Sequence, residues 1–104
     1  MIKRDKRRYL ALRAECKKLL TEKDVFHAVF NSFLQFFGEI GASQANLKMI
    51  KYVSEKDYFV VRCSHKMLEQ ARAAIVSITD VKGETTTFHV EGVSGTLKSL
   101  ANKT

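Results

Sequence analysis

The chain has 104 residues, of which 45% are apolar and 28% charged. This length suits one domain with a modest core, and the apolar content excludes an intrinsically disordered chain. Eighteen Lys and Arg residues against 11 Asp and Glu give a net charge of +7, and residues 1–8 hold five of those bases and one acid. Positive charge concentrated at one end favours nucleic acid or an anionic membrane as the partner.

A membrane partner is the weaker of these two alternatives. No apolar run approaches the length that spans a bilayer, and Tyr9–Arg13 is too short and too polar for the apolar core of a signal peptide. We therefore expect a cytoplasmic protein that does not bind membranes. The two cysteines, Cys16 and Cys63, form neither a disulfide framework nor a metal site. Each cysteine ends a predicted strand, and these two strands are expected to be antiparallel, so the thiols should lie at opposite ends of the sheet. That is too far for a disulfide, and we expect two free thiols.

The opening stretch joins a basic run to a predicted strand. Residues 1–8 are predicted to be a flexible cationic arm, and residues 9–104 a single α/β domain. From Tyr9 to Glu15, polar and apolar residues alternate, which predicts a half-buried strand with Leu10 and Leu12 facing the core. The arm is predicted to contact phosphates through its basic side chains, which are Lys3, Arg4, Lys6, Arg7 and Arg8.

A long helix is predicted to follow the first strand. Thr21 is its expected N-cap, with the carboxylate of Asp24 three residues later completing a capping box. Gly38 and Gly41 are predicted to end this helix, and residues 41–44 to form a loop. The helix has a wide apolar stripe, which is able to contact a second surface as well as the core. The stripe includes Phe26, Val29, Phe30, Phe33, Phe36, Phe37 and Ile40.

The rest of the chain predicts three more strands and two more helices. In order, these elements are a strand at 46–53, a turn at 54–57, a strand at 58–63, a helix capped by Ser64, a turn at 82–84, a strand at 85–90 and a short helix starting at 94–96. The apolar pattern of the strand at 46–53 leaves its facing undecided. The nearly all-apolar strand at 58–63 is predicted to be central.

This order of elements predicts an α+β sandwich of the ferredoxin-like βαββαβ type, which RNA-recognition motifs share. Two right-handed split βαβ units give a four-stranded antiparallel sheet in the order 4-1-3-2, with the helices on one face and a short C-terminal helix. RNA-recognition motifs stack bases on aromatic residues of strands one and three. Here Tyr9 and Tyr58 suit that role, but Val60 and Cys63 replace the other aromatic residues.

The open face of the sheet is therefore predicted to meet a protein rather than stacked bases. Its outward residues combine tyrosine, arginine and small apolar groups, a composition typical of interfaces. An ordinary sheet face partly covered by the C-terminal helix is an equal alternative. The predicted partner-interface residues are Tyr9, Arg13, Tyr58, Val60 and, on the wide helical stripe, Phe36.

Two further segments are candidate anion sites. Cys63–Lys66 places backbone amides, His65 and Lys66 at a helix start, although a plain Ser64 N-cap explains the segment more simply. Gly92–Lys98 offers small residues and two hydroxyls, and a glycine turn with a cap again explains it more simply. No catalytic residue and no metal site are predicted, because the histidines are scattered and no acidic cluster is visible.

Four blocks together resemble archaeal ribonuclease P protein component 2, in order and over almost the whole chain. The blocks are Lys6–Leu10, Val61–Lys66, Gly92–Lys98, and Phe37–Ser43 leading into Leu47 and Lys48. The resemblance implies a protein subunit of the ribonucleoprotein that removes the 5′ leader from precursor tRNA. It also implies that the RNA subunit and its bound Mg²⁺ perform the hydrolysis, so that this chain holds no cofactor.

The same resemblance implies particular partners and contact residues. The partners are the ribonuclease P RNA, protein component 3, precursor tRNA through the complex, and a second copy of the chain in a two-plus-two assembly. Residues implied to face RNA, besides the arm, are Arg62, His65, Lys66, Ser94, Gly95, Thr96 and Lys98. The nearly uncharged residues 99–104 depart from the family, which often has a basic extension there. Two other hypotheses stay open: a generic RNA-binding module, and a dimeric α/β regulatory domain for a small ligand.

Overall fold

The fold is taken from a computed structural model, which describes residues 6–53 and 57–103, with side chains up to residue 100. Its elements are β1 (Arg7–Glu15), α1 (Glu22–Ala45), β2 (Lys48–Val53), β3 (Tyr58–Ser64), a 3₁₀ turn (His65–Met67), α2 (Leu68–Val76), β4 (Asp80–Val81), β5 (Glu84–Thr85), β6 (Thr87–Ser94) and α3 (Leu97–Lys103). The predicted roles of Lys3 and Arg4, and most of the predicted turn at 54–57, fall outside these residues.

Four antiparallel strands form the main sheet, in the order β2-β3-β1-β6. This confirms the predicted order, because β6 is the predicted fourth strand. That strand spans Thr87–Ser94 rather than 85–90. The residues before it form a separate hairpin of β4 and β5, whose two turn residues, Lys82 and Gly83, have φ angles of 54° and 82°. Positive φ at both positions is typical of the tight turns that join hairpin strands.

Strand β1 lies at the centre of the sheet, between β3 and β6. Leu10 and Leu12 are fully buried on the helix side, while Ala11 is buried on the other face. The predicted alternation is therefore confirmed. The strand begins at Arg7, so Arg7 and Arg8 pair with β3 instead of belonging to a free arm.

A β-bulge explains why the facing of β2 was undecided from the sequence. The register of β2 against β3 shifts between Met49 and Lys51, which leaves Ile50 as the extra residue. As a result, Met49 packs on the main core, whereas Ile50 packs on the opposite face. Strict alternation cannot describe a strand whose faces exchange part-way along.

Helix α1 begins at the predicted capping box. The Thr21 hydroxyl accepts from the Asp24 amide at 3.2 Å, and an Asp24 carboxylate oxygen accepts from the Thr21 amide at 3.0 Å. Gly38 does interrupt the helix, with φ 73° and ψ −179°, a conformation open almost only to glycine. The chain then returns to helix as far as Ala45, so the predicted loop at 41–44 is wrong.

Small residues explain why the helix resumes after its kink. A Cβ atom at Gly41 would lie 2.7 Å from Cβ of Phe37, so only glycine permits the helix to pack this closely. Ala42 and Ala45 are buried on the same segment. The helix ends instead at Asn46, whose φ of 48° is left-handed.

Ser64 does not cap the second helix, contrary to the prediction. It makes no capping hydrogen bond, and its hydroxyl donates to the carbonyl oxygen of Gln44 at 3.0 Å. The helix starts instead through the 3₁₀ turn that precedes α2. Ser64 therefore ties the end of β3 to the end of α1.

The C-terminal helix covers part of the open sheet face. Leu100, which is 1% exposed, packs with Ala11, Tyr58 and Val60 in a second small core. The prediction that Tyr58 and Val60 meet a partner protein is therefore wrong, since they are 5% and 1% exposed within the monomer. The alternative interpretation, a sheet face partly covered by the C-terminal helix, is correct.

Candidate nucleic-acid interface

Three distant parts of the sequence meet at one end of the sheet. In the strand register, Arg7 lies opposite Ser64, Arg8 lies opposite Cys63, and Tyr9 lies opposite Ser94. This brings together the start of β1, the end of β3 and the end of β6. We call this region the basic end, and its basic side chains are Lys6, Arg7, Arg8, Arg62, His65, Lys66 and Lys98.

Backbone contacts hold the basic end together. The His65 amide donates to the carbonyl oxygen of Lys6 at 2.7 Å, so this amide is not free to bind an anion as predicted. Nη1 of Arg8 donates to the carbonyl oxygen of Arg7 at 2.9 Å. The Arg8 guanidinium lies against Gly95, where a Cβ atom would approach Nη1 to 3.3 Å. Glycine at position 95 thus leaves room for the arginine.

No cation of the basic end forms an ion pair with a carboxylate that the structure describes. Lys6, Arg7, His65, Lys66 and Lys98 are exposed, and the other two are half-buried. Their charges therefore add, because nothing on the described chain neutralises them.

The thiol of Cys63 is buried among these groups. Burial raises its pKa to about 11, and the nearby charge of Arg8 lowers it to a smaller extent. The thiol is consequently neutral at physiological pH and poorly reactive. Both cysteines are free, as predicted.

The hydroxyls near the C-terminus organise the start of α3. The buried Ser94 accepts from the Thr96 amide at 3.4 Å, and the Thr96 hydroxyl accepts from the Ser99 amide at 3.1 Å. These contacts match the simpler interpretation of this segment as a cap. An RNA contact by Ser94, Gly95 or Thr96 stays a prediction.

The other end of the sheet is also rich in charge, but its charges are paired. Salt bridges join Arg13 to Glu91 (3.5 Å), Lys18 to Glu84 (3.9 Å), Lys82 to Asp24 (2.6 Å) and His89 to Glu15 (3.0 Å). We call this region the paired end. A hydrogen bond from Lys82, followed in size by that from the Thr21 backbone, lowers the pKa of Asp24 to about 2.

The predicted partner-interface residues are spread over separate surfaces. Arg13 belongs to the paired end, and Tyr9 is half-buried on the open face. Phe36 is 58% exposed, beside Phe37 and the 77% exposed Ile40. These three side chains flank the kink at Gly38 and form what we call the apolar patch. A patch of this kind marks a protein contact more often than an isolated exposed residue does.

Lys48 is a candidate that the sequence did not single out as a site residue. It is exposed and lies directly opposite Arg62 in the β2–β3 register. Its only sequence signal is its position just after one of the four blocks, and the bulge at Ile50 hid which face it takes. Within residues 6–53 and 57–103 no group of His, Cys, Asp and Glu is placed to hold a metal. Nor is any helix in these ranges long and apolar enough to span a membrane.

Comparison with known proteins decides the family. The model of the Rpp14/Pop5 family matches residues 8–104. The chain belongs to the Rpp14/Pop5 family. Among curated relatives, ribonuclease P protein component 2 of Methanosarcina mazei is 30% identical over 96% of this chain and 84% of its own length.

Two further relatives with the same name agree with this assignment. The protein of Pyrococcus abyssi is 33% identical over 96% of this chain and 85% of its own length. That of Thermococcus kodakarensis is 31% identical over 96% of this chain and 83% of its own length. The resemblance carried by the four sequence blocks is therefore confirmed.

Proposed function

We propose that this chain is a protein subunit of ribonuclease P and acts in the removal of the 5′ leader from precursor tRNA. The observation that carries the proposal is the family match over residues 8–104, together with relatives named ribonuclease P protein component 2 that align along 96% of the chain. The unpaired cations of the basic end support the same function, because a ribonucleoprotein subunit needs a surface that attracts phosphate.

The proposed mechanism is electrostatic. The basic end screens the repulsion between phosphates, so that the RNA catalytic domain folds and holds its substrate. In this proposal the RNA subunit and its bound Mg²⁺ perform the hydrolysis, and this chain contributes no catalytic residue and binds no cofactor.

The proposed protein partners are component 3 and a second copy of this chain, in a two-plus-two assembly. The apolar patch around Gly38 is a surface on the described chain suited to one of these contacts, with Phe36 and Ile40 largely exposed.

Base stacking on the open face receives no support from the fold. Tyr58 lies beneath Leu100, and Val60 is buried beside it. A single-strand reader in the manner of RNA-recognition motifs needs exposed aromatic residues on these two central strands. Phosphate contact at the basic end is the better proposal.

The direct test is reconstitution of leader removal from precursor tRNA. The ribonuclease P RNA and component 3 are assayed at low Mg²⁺ with and without this chain, and an unrelated basic protein of similar net charge serves as control. We expect efficient cleavage only with this chain. Unchanged cleavage on omitting it, or full replacement by the control protein, would contradict the proposal.

A further inference from the structure

Two cations face each other across the sheet beyond the part that α3 covers. Lys48 of β2 and Arg62 of β3 are directly opposite. Arg62 is two residues from Val60, which belongs to the small core beneath Leu100, so it shares the open face. Tyr9 of β1 is the next residue in the same cross-strand row.

This arrangement is unfavourable in the free protein. Side chains directly opposite in an antiparallel pair have Cβ atoms about 4.5–5.5 Å apart, and like charges there are destabilising. Nε of Arg62 is also buried without a hydrogen-bond partner among the described residues. A donor in that state loses its water without gaining an acceptor.

At the paired end, two basic side chains also lie opposite each other on the same face, but each has a carboxylate partner. Arg13 and His89 are also directly opposite each other, in the β1–β6 register. There the chain supplies a carboxylate to each, with Glu91 at 3.5 Å from Arg13 and Glu15 at 3.0 Å from His89. For Lys48 and Arg62 the described chain supplies none.

We infer that Lys48 and Arg62 together bind one phosphodiester group of an RNA strand that crosses the open sheet face beside α3. An ammonium and a guanidinium fork suit a phosphate, which accepts from both. Because Nε of Arg62 has no acceptor among the described residues, a phosphate that accepts from it satisfies a donor that the described chain leaves unpaired. This inference rests on the proposed function and adds a contact to it.

RNA fits this row better than an acidic peptide does. The Lys48–Arg62 pair continues into the basic end on the same face, since Arg7 is two residues before Tyr9, the residue opposite Arg62. A nucleic-acid backbone carries a negative charge at every residue, so one strand satisfies all of these cations in turn.

The test uses the full chain and its cognate ribonuclease P RNA, with equilibrium binding measured over a series of KCl concentrations. We expect Lys48→Ala and Arg62→Gln each to weaken binding roughly five- to tenfold at about 0.1 M salt, and to lower the salt slope by about one. The matched control is Lys17→Ala, which removes one exposed charge beyond the other end of β1. It should bind as the wild type does.

Two further measurements separate a shared phosphate from other causes. Because both side chains hold one phosphate, the double variant should lower the slope by about one rather than two. Lys48→Ala should not lower the melting temperature of the free protein, because it removes a repulsion. A lower melting temperature together with unchanged RNA affinity would overturn the inference, since Lys48 would then be structural.

Other outcomes also contradict the inference. An equal loss in Lys17→Ala would mean that net charge alone matters. If inorganic phosphate saturates the Lys48–Arg62 pair without changing RNA affinity, the pair is a free-anion site. If the Lys48 and Arg62 variants lose only the binding of component 3, the pair is a protein contact. If Lys48→Ala binds RNA normally while leader removal still requires the chain, the inference fails and the proposed function stands.

Discussion

The two ends of the sheet use charge in opposite ways. At the paired end, four salt bridges join cations to carboxylates of the same chain. At the basic end, six Lys and Arg side chains converge together with His65, and none of them pairs with a described carboxylate. The first arrangement completes the fold locally, whereas the second leaves charge for a partner to neutralise.

The energetic value of charge differs accordingly. Exposed ion pairs such as Arg13–Glu91 contribute little to stability, typically below about 1 kcal/mol. Unpaired cations that share one region produce a potential that extends over roughly a Debye length, about 10 Å at 0.1 M salt. Substitutions at the basic end should therefore change RNA binding more than stability, and those at the paired end should do the reverse.

The largest predicted effect comes from removing three charges at each end and comparing the two variants. The basic-end variant replaces Lys6, Arg7 and Lys66 with alanine. The paired-end variant replaces Arg13, Lys18 and Lys82, each of which forms a salt bridge there, with alanine. Since each lost phosphate contact lowers the salt slope by about 0.7–0.9, the basic-end variant should lose on the order of 100-fold in RNA affinity at about 0.15 M salt. Salt-dependent binding of the cognate RNA is the measurement, and equal losses in the two variants would refute the distinction.

Helix α1 connects the two ends, and Gly38 is where that connection bends. Gly38→Ala should lower the free energy of unfolding by about 1–3 kcal/mol, because alanine disfavours the backbone conformation that Gly38 adopts. Urea unfolding measures the loss, with the exposed neighbour substitution Glu39→Ala as control. A Gly38→Ala variant as stable as the wild type would show that the kink is not needed to bring Gln44 to Ser64.

The Asp24–Lys82 contact at the paired end predicts that the free energy of unfolding depends on pH. The pKa of Asp24 falls from 3.8 to about 2 on folding, so its ionised form is the one that the fold favours. Its stabilisation is therefore complete above the unfolded value and is lost as the pH falls through about 2. Asp24→Asn should be less stable than the wild type near neutral pH, and this difference should disappear at low pH.

Unfolding in urea over a pH series measures that difference. Glu22→Gln is the matched control, because Glu22 also lies in the first turn of α1 and is exposed. It should show no comparable pH dependence. A difference between Asp24→Asn and the wild type that persists unchanged below about pH 2 would contradict the assigned role of the carboxylate.

The smallest predicted effect belongs to Arg13. Arg13→Ala removes an exposed salt bridge and should change the free energy of unfolding by no more than about 0.5 kcal/mol. RNA affinity should stay within twofold of the wild type, because Arg13 lies away from the basic end. A tenfold loss of RNA affinity would show that the RNA surface reaches the paired end.

The sequence was informative wherever one local pattern decided the structure. Alternation in β1 predicted that Leu10 and Leu12 would face the core, and the Thr21 capping box predicted the start of α1. The order of strands and helices then determined the sheet order through the handedness of βαβ units. The family resemblance, carried by four blocks, was confirmed as well.

The sequence failed wherever tertiary contacts compete with a local signal. Gly38 and Gly41 both predict a helix end, yet close packing of Gly41 against Phe37 lets the helix continue. Ser64 has the composition of an N-cap, but the carbonyl of Gln44 takes its hydroxyl. Likewise, the covering of Tyr58 by Leu100 depends on where α3 folds back, and no local pattern specifies that position.

Leader removal by the reconstituted enzyme tests the central claim most directly. The ribonuclease P RNA and component 3 are combined with the wild-type chain, the basic-end variant or the paired-end variant, and cleavage of precursor tRNA is followed as Mg²⁺ is lowered. We predict that the basic-end variant requires more Mg²⁺ for the same rate, while the paired-end variant matches the wild type. Identical Mg²⁺ requirements for all three proteins would contradict the account.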